Sequence, residues 1–179
     1  MKRIVIGMLV ALLAAAALAA AALWYVRPKQ ELDWSYEPIS LRSHVAGMLA
    51  ARQLEITLSE AEIDSLLKQA LAGYMPASEV WQVTGVRFSL QGQQLIAAAN
   101  LTYRGRLPVG ARLHFALSWQ APLLRAEHTR TEIGRFAVPA AWLRLKPLEV
   151  DLEAPLPRML SIRSVEFPGN AVRLSFTLL

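Results

Sequence analysis

Cysteine is absent from all 179 residues, which excludes a disulfide framework, a thiol nucleophile and any cysteine-ligated metal or redox centre. Histidine is scarce. His44, His114 and His128 fall in different predicted elements with no metal-ligand spacing, so they read as ordinary surface or hydrogen-bonded side chains; the two strand histidines belong to polar or mixed faces. No G-x-S-x-G elbow, Walker loop or dinucleotide glycine pattern occurs. Charged residues make up only 18% against 54% hydrophobic, which excludes a disordered chain. The chain therefore reads as a protein without enzymatic activity, metal or cofactor.

The sequence does have one long apolar run. After Met1-Lys2-Arg3, residues 4–26 contain no charged side chain. At ~1.5 Å per residue they span ~34 Å as a helix, enough to cross a hydrocarbon core of ~30 Å with some tilt. Trp24 and Tyr25 fall where amphipathic rings favour the headgroup layer, and Arg27 and Lys29 follow. This reads as a single-pass anchor, with residues 1–3 in the cytoplasm and the rest outside. A cleaved signal peptide is the alternative, since Ala19–Ala22 offers small residues for a peptidase. Either reading places the folded part in the cell envelope.

Charge is best counted without the membrane flank. Setting aside Lys2, Arg3 and Arg27 leaves 16 basic against 14 acidic residues, which removes most support for nucleic-acid binding. The rest is unevenly spread: residues 31–80 are net −5 and residues 81–146 net +7.

Residues 27–38, with two prolines, read as a juxtamembrane linker to one α+β domain over 39–179. A moderate helical pattern covers 39–54. Ser59-Glu60-Ala61-Glu62 is a capping box with Leu58 and Ile63 as its hydrophobic staple. It opens a helix over 59–72 whose apolar stripe is Ile63, Leu66, Leu67, Ala70 and Leu71. Beyond it the period becomes two. Val86, Phe88 and Leu90 alternate with polar residues, as do Leu95–Tyr103, Leu107–Trp119, Leu123–Ile133 and Leu148–Leu152, and a closing hairpin joins Ser161–Phe167 to Ala171–Leu178. Phe136–Leu145, with Pro139, Trp142 and Leu143, reads as a short helix. Helices packed on one strongly curved, mostly antiparallel sheet is the expected architecture. Glu149, Asp151 and Glu153 share a strand face and read as a solvated edge that discourages aggregation.

Four features in order resemble the YpmS-like family of membrane-anchored extracytoplasmic proteins of Gram-positive bacteria. They are the anchor followed by Leu58–Leu67, Leu107-Pro108-Val109 leading to Ala121-Pro122, Ile133–Pro139, and the pair Ile162–Phe167 with Ala171–Phe176. The sequence departs from the pattern at 122–127, which lacks a glycine, and in the short stretch 145–161. The family has no assigned activity. Its architecture resembles tubular lipid-binding half-barrels, which implies lipid handling by fold analogy alone.

Two residue sets follow as binding candidates. Val86, Phe88, Leu90, Leu113, Phe115, Leu117 and Trp119 form an apolar face suited either to acyl chains or to core packing under helix 59–72. Arg104, Arg106, Arg112 and Arg130 lie off the core alternation and suit an anionic lipid headgroup or a phosphate-bearing wall polymer. The expectation is a lipid- or amphiphile-binding domain at the membrane; the alternative is a non-catalytic module that docks an envelope protein.

Overall fold

A computed structural model describes residues 2–39, 41–50, 53–74, 80–134, 136–139, 146–154 and 156–178. They form an α+β fold of a few helices with mostly antiparallel sheets. Helix α1 runs Lys2–Tyr25, with side chains described from Leu12 onward. Among the described residues no helix is long and apolar enough to cross a membrane. Helix α2 covers Leu41–Ala50 and α3 covers Glu60–Tyr74.

The α3 terminus forms as its sequence dictates. The Glu62 carboxylate accepts the Ser59 N–H at 2.8 Å and the Ser59 hydroxyl at 2.7 Å, while Ser59 Oγ accepts the Glu62 N–H at 3.4 Å. The staple residues Leu58 and Ile63 are both buried. Glu62 also meets His44 of α2 at 3.0 Å, which ties the two helices together.

The strands divide into two sheets. β2 (Trp81–Gln91), β3 (Gln94–Tyr103), β4 (Leu107–Gln120), β5 (Leu123–Ile133) and β6 (Phe136–Pro139) follow one another as an antiparallel meander, and β7 (Leu148–Asp151) pairs with the other end of β5. The smaller sheet has the order β1-β9-β8, from Glu55–Leu58, Val172–Leu178 and Leu160–Glu166.

Three expectations are corrected here. The single strongly curved sheet is replaced by two, neither strongly curled. The closing hairpin pairs with β1 instead of extending the meander, and the two hairpin tips meet where Gly92 N–H donates to the Gly169 carbonyl at 2.6 Å. Second, residues 136–139 are strand. Gly134, at φ +64°, turns the chain so that Phe136 returns opposite Ile133, and Pro139 ends an edge strand, where a missing N–H is tolerated. Trp142 and Leu143 lie outside the described residues. Third, His114 and His128 are buried, at 4% and 8% exposure. His128 faces inward opposite Phe115, beyond an irregularity at 114–115, and its Nε2 meets Thr131 Oγ1 at 2.8 Å.

Both sheets and helices α2 and α3 contribute to one core, which includes Met48, Ile63, Leu90, Phe115, Ile162 and Phe176. Helix α3 lies beside the outer edge of β2. There the Asp64 carboxylate accepts the Phe88 N–H at 2.7 Å and Glu60 accepts the Leu90 N–H at 3.3 Å. Unpaired edge amides are thereby satisfied without another strand. Glu153 does the same for β8, accepting the Ile162 N–H at 2.7 Å, and Asp151 accepts the N–H groups of Glu153 and Ala154. Those two carboxylates thus hold turns and an edge rather than only repelling neighbours.

Residues 26–35, most of them within the stretch 27–38 expected as a linker, lie on the large sheet as a strap. Gly110 N–H donates to the Val26 carbonyl at 2.9 Å, Asn100 Nδ2 to the Gln30 carbonyl at 2.8 Å, and Val86 N–H to the Asp33 carbonyl at 3.3 Å. Gly85, Asn100 and Gly110 stand opposite one another across β2, β3 and β4, so the strap crosses the strands along one row. It fits because the row is nearly bare. A Cβ at Gly85 would overlap the Leu32 carbonyl, and one at Gly110 would lie 2.9 Å from Pro28 Cα. Lys68 of α3, itself buried, closes the far end through the Ser35 carbonyl at 3.1 Å and Asp64 at 3.0 Å.

Candidate functional site

A large concavity among the described residues follows from the layer arrangement. Helices α2 and α3 cover the smaller sheet without filling the space between them. A cavity of about 1070 Å³, partly open to solvent, remains there. Its helix wall is Val45, Ile63, Leu66, Leu67 and Ala70, and its sheet wall includes Ile56, Leu58, Val172, Leu174 and Phe176. Leu124, Val150, Leu152 and Leu156 close one side, and among the described residues Gln69 is the single lining side chain with a hydrogen-bonding group. Such a surface attracts hydrocarbon through water release and gives almost no polar purchase.

The apolar set expected from the sequence is brought together, but elsewhere. Val86, Leu90, Phe115 and Leu117 are buried, and Phe88, Leu113 and Trp119 pack half-buried against the same core. None of the seven lines the cavity. Alternation identified them correctly as one face, and that face is consumed by packing. The cavity-lining residues had an equally legible pattern in the α3 stripe and in Val172, Leu174 and Phe176. What alternation lacks is volume: whether two apolar faces fill the space between them depends on their separation.

The arginines are exposed and do not form one cluster. Arg104, at φ +49°, and Arg106 belong to the β3–β4 turn, and Arg104 stacks over the Tyr103 ring at 5.4 Å. Arg130 pairs with Glu132 at 2.9 Å, and Glu132 also lies 3.5 Å from the buried His114. Arg112 reaches a concavity. It lines a pit of about 70 Å³ together with Arg27 and Lys29 of the strap, Asn100, Gly110 and Glu132. No residue lines both this pit and the large cavity. Among the described residues no arginine of the set lines the large cavity.

Two carboxylates are held below the ordinary carboxylate range. Glu62 is lowered chiefly by the Ser59 hydroxyl, then by the Ser59 amide, with His44 adding to both. Exposed Asp33 is lowered chiefly by its hydrogen bonding with Ser35. Both serve local structure: one caps α3 and the other turns the end of the strap. Among the described residues no group of three or more His, Asp or Glu side chains is placed to hold a metal ion.

No protein-family model, no curated protein and no solved structure matches this chain.

Proposed function

We propose that the chain is a membrane-anchored extracytoplasmic domain of the cell envelope that binds the hydrocarbon part of a lipid or other amphiphile. The observation that carries this reading is the apolar cavity of about 1070 Å³ between the helices and the smaller sheet. Small-molecule pockets generally occupy ~300–1000 Å³, so this one suits a long-chain amphiphile rather than a compact metabolite. The anchor reading rests on residues 4–26, an uncharged run long enough to span, which carries Trp24 and Tyr25 near its end and is followed by Arg27 and Lys29. The order of motifs that resembles the YpmS-like family agrees with this placement and adds no activity. The mechanism is passive. Hydrocarbon enters the groove beside α3, displaces water from Leu67 and Leu174, and leaves its polar end at the solvent-facing mouth.

One observation favours docking of an envelope protein instead. β7 exposes Leu148 and Val150 at the outer side of β5, a short apolar edge on which another chain can add.

The test is photolabelling of the full chain in lipid nanodiscs containing a phospholipid with a diazirine at its acyl terminus. Label mapped to peptides carrying Leu67 and Leu174, and suppressed by Ala70→Trp, is the expected result. Label confined to residues 4–26 overturns the proposal and turns attention to the β7 edge.

A further inference from the structure

The pit where the strap crosses the sheet is a second, separate site. Arg27 and Lys29 approach it from the strap and Arg112 from β4. Among the described residues none of these three cations makes an ion pair. Glu132 is the opposing charge. It stands across from Arg112 in the strand register, yet its carboxylate is engaged by Arg130 at 2.9 Å and faces His114 at 3.5 Å. The pit therefore gathers three unneutralised cations around one carboxylate that is already occupied. Its volume of about 70 Å³ admits a phosphate group.

Position specifies the source of that phosphate. The strap begins one residue after α1 ends at Tyr25, and the Tyr25 ring packs edge-on to Phe136 at 5.4 Å. Phe136 and Trp24 are 67% and 75% exposed, so two large apolar side chains flank the cations at the end of the helix. Exposed aromatics beside arginine and lysine suit the headgroup layer of an anionic leaflet. The strap's hydrogen bonds to Gly110 and Asn100 prevent the domain from swinging free of this position.

The geometry points to a headgroup-binding site, in which Arg27, Lys29 and Arg112 hold the phosphate of an anionic membrane lipid and seat the strapped face of the sheet on the bilayer. This rests on the anchor reading of α1 and is independent of the hydrocarbon cavity.

The experiment is native mass spectrometry of the full chain after exchange into micelles with equal amounts of phosphatidylglycerol and phosphatidylcholine. The wild type retains phosphatidylglycerol preferentially. Lys29→Gln/Arg112→Gln loses that preference by roughly fivefold for each cation removed. Arg158→Gln/Arg163→Gln, an equal charge change on exposed residues elsewhere, retains it. Unchanged thermal midpoints for both variants exclude unfolding as the cause. Equal retention of the two lipids by the wild type, or undiminished preference in Lys29→Gln/Arg112→Gln, overturns the assignment. Displacement of phosphatidylglycerol by excess inorganic phosphate also overturns it, because the pit is then a free-phosphate site. Ala70→Trp blocks the photolabel described above without changing headgroup preference, so each site fails or holds by its own variant.

Discussion

The Asp64 carboxylate accepts the Phe88 amide hydrogen at 2.7 Å while holding the buried Lys68 ammonium at 3.0 Å. One side chain thus closes the outer edge of β2 and neutralises a cation that the fold has removed from water. Asp64→Ala leaves the Phe88 amide without its acceptor and the buried Lys68 with only the Ser35 carbonyl and the exposed Asp33 carboxylate at 4.0 Å, and is expected to cost about 3 kcal/mol, the range seen when one member of a buried pair is removed. Asp64→Ala/Lys68→Met recovers part of that loss. Denaturant titration of the four members of this cycle measures the coupling directly.

The capping box makes an acid-dependent contribution. Glu62 has a folded-state pKa below its ordinary value of 4.5, so the folded state binds its proton less readily than the unfolded chain. Its stabilisation is complete above pH 4.5 and fades as the pH falls through the lowered value. Glu62→Gln is expected to lose about 1 kcal/mol at neutral pH. The difference from wild type should shrink on acidification below that point, as followed by thermal melting across the acidic range. A constant difference contradicts the assignment.

Gly85 tests the strap. Adding a methyl group there forces the Leu32 carbonyl away, at a cost of about 1–3 kcal/mol if the sheet holds its shape. Residues 26–33 are then expected to lift, and trypsin to cut after Lys29 faster than in the wild type. Limited proteolysis of wild type and Gly85→Ala in nanodiscs reads this out.

His128 and Thr131 form a polar pair inside an apolar layer, with His128 Nδ1 buried and unpartnered among the described residues. His128→Leu alone strands the Thr131 hydroxyl and costs about 1–3 kcal/mol. His128→Leu/Thr131→Val removes both polar groups together and is expected to be at least as stable as wild type. A double variant as damaged as the single one would show that the pair does more than fill space.

Periodicity carried far where one physical cause acts alone. The capping box and staple located α3 within two residues at each end, and alternation located β5 and the closing hairpin. It failed where pairing partners decide. β1 is four residues whose Ile56 and Leu58 acquire meaning only beside β9, and 136–139 became strand because Gly134 returns them to β5. The strap did leave a signal: Gly85 and Gly110 interrupt strands that are otherwise filled, the mark of close backbone approach. Burial of His114 left none, since Arg112 and Ser118 share its alternation in β4, whereas His128 follows Leu124 and Ala126 on one alternation, a signal masked by Arg130 and Glu132 beyond the irregularity. The cavity was illegible because its residues are individually indistinguishable from core.

The strap also sets an order of assembly. Gln30 and Asn100 are joined across 70 positions of sequence, and Val26 waits for the amide of Gly110. During synthesis from the N-terminus, α1 is complete and the strap exposed long before β4 exists to receive it. A nascent chain therefore carries an untethered stretch of backbone beyond α1, and only a finished meander takes it up. Seating the strap marks the moment at which the sheet stops being merely attached to its helix and acquires a fixed direction relative to it.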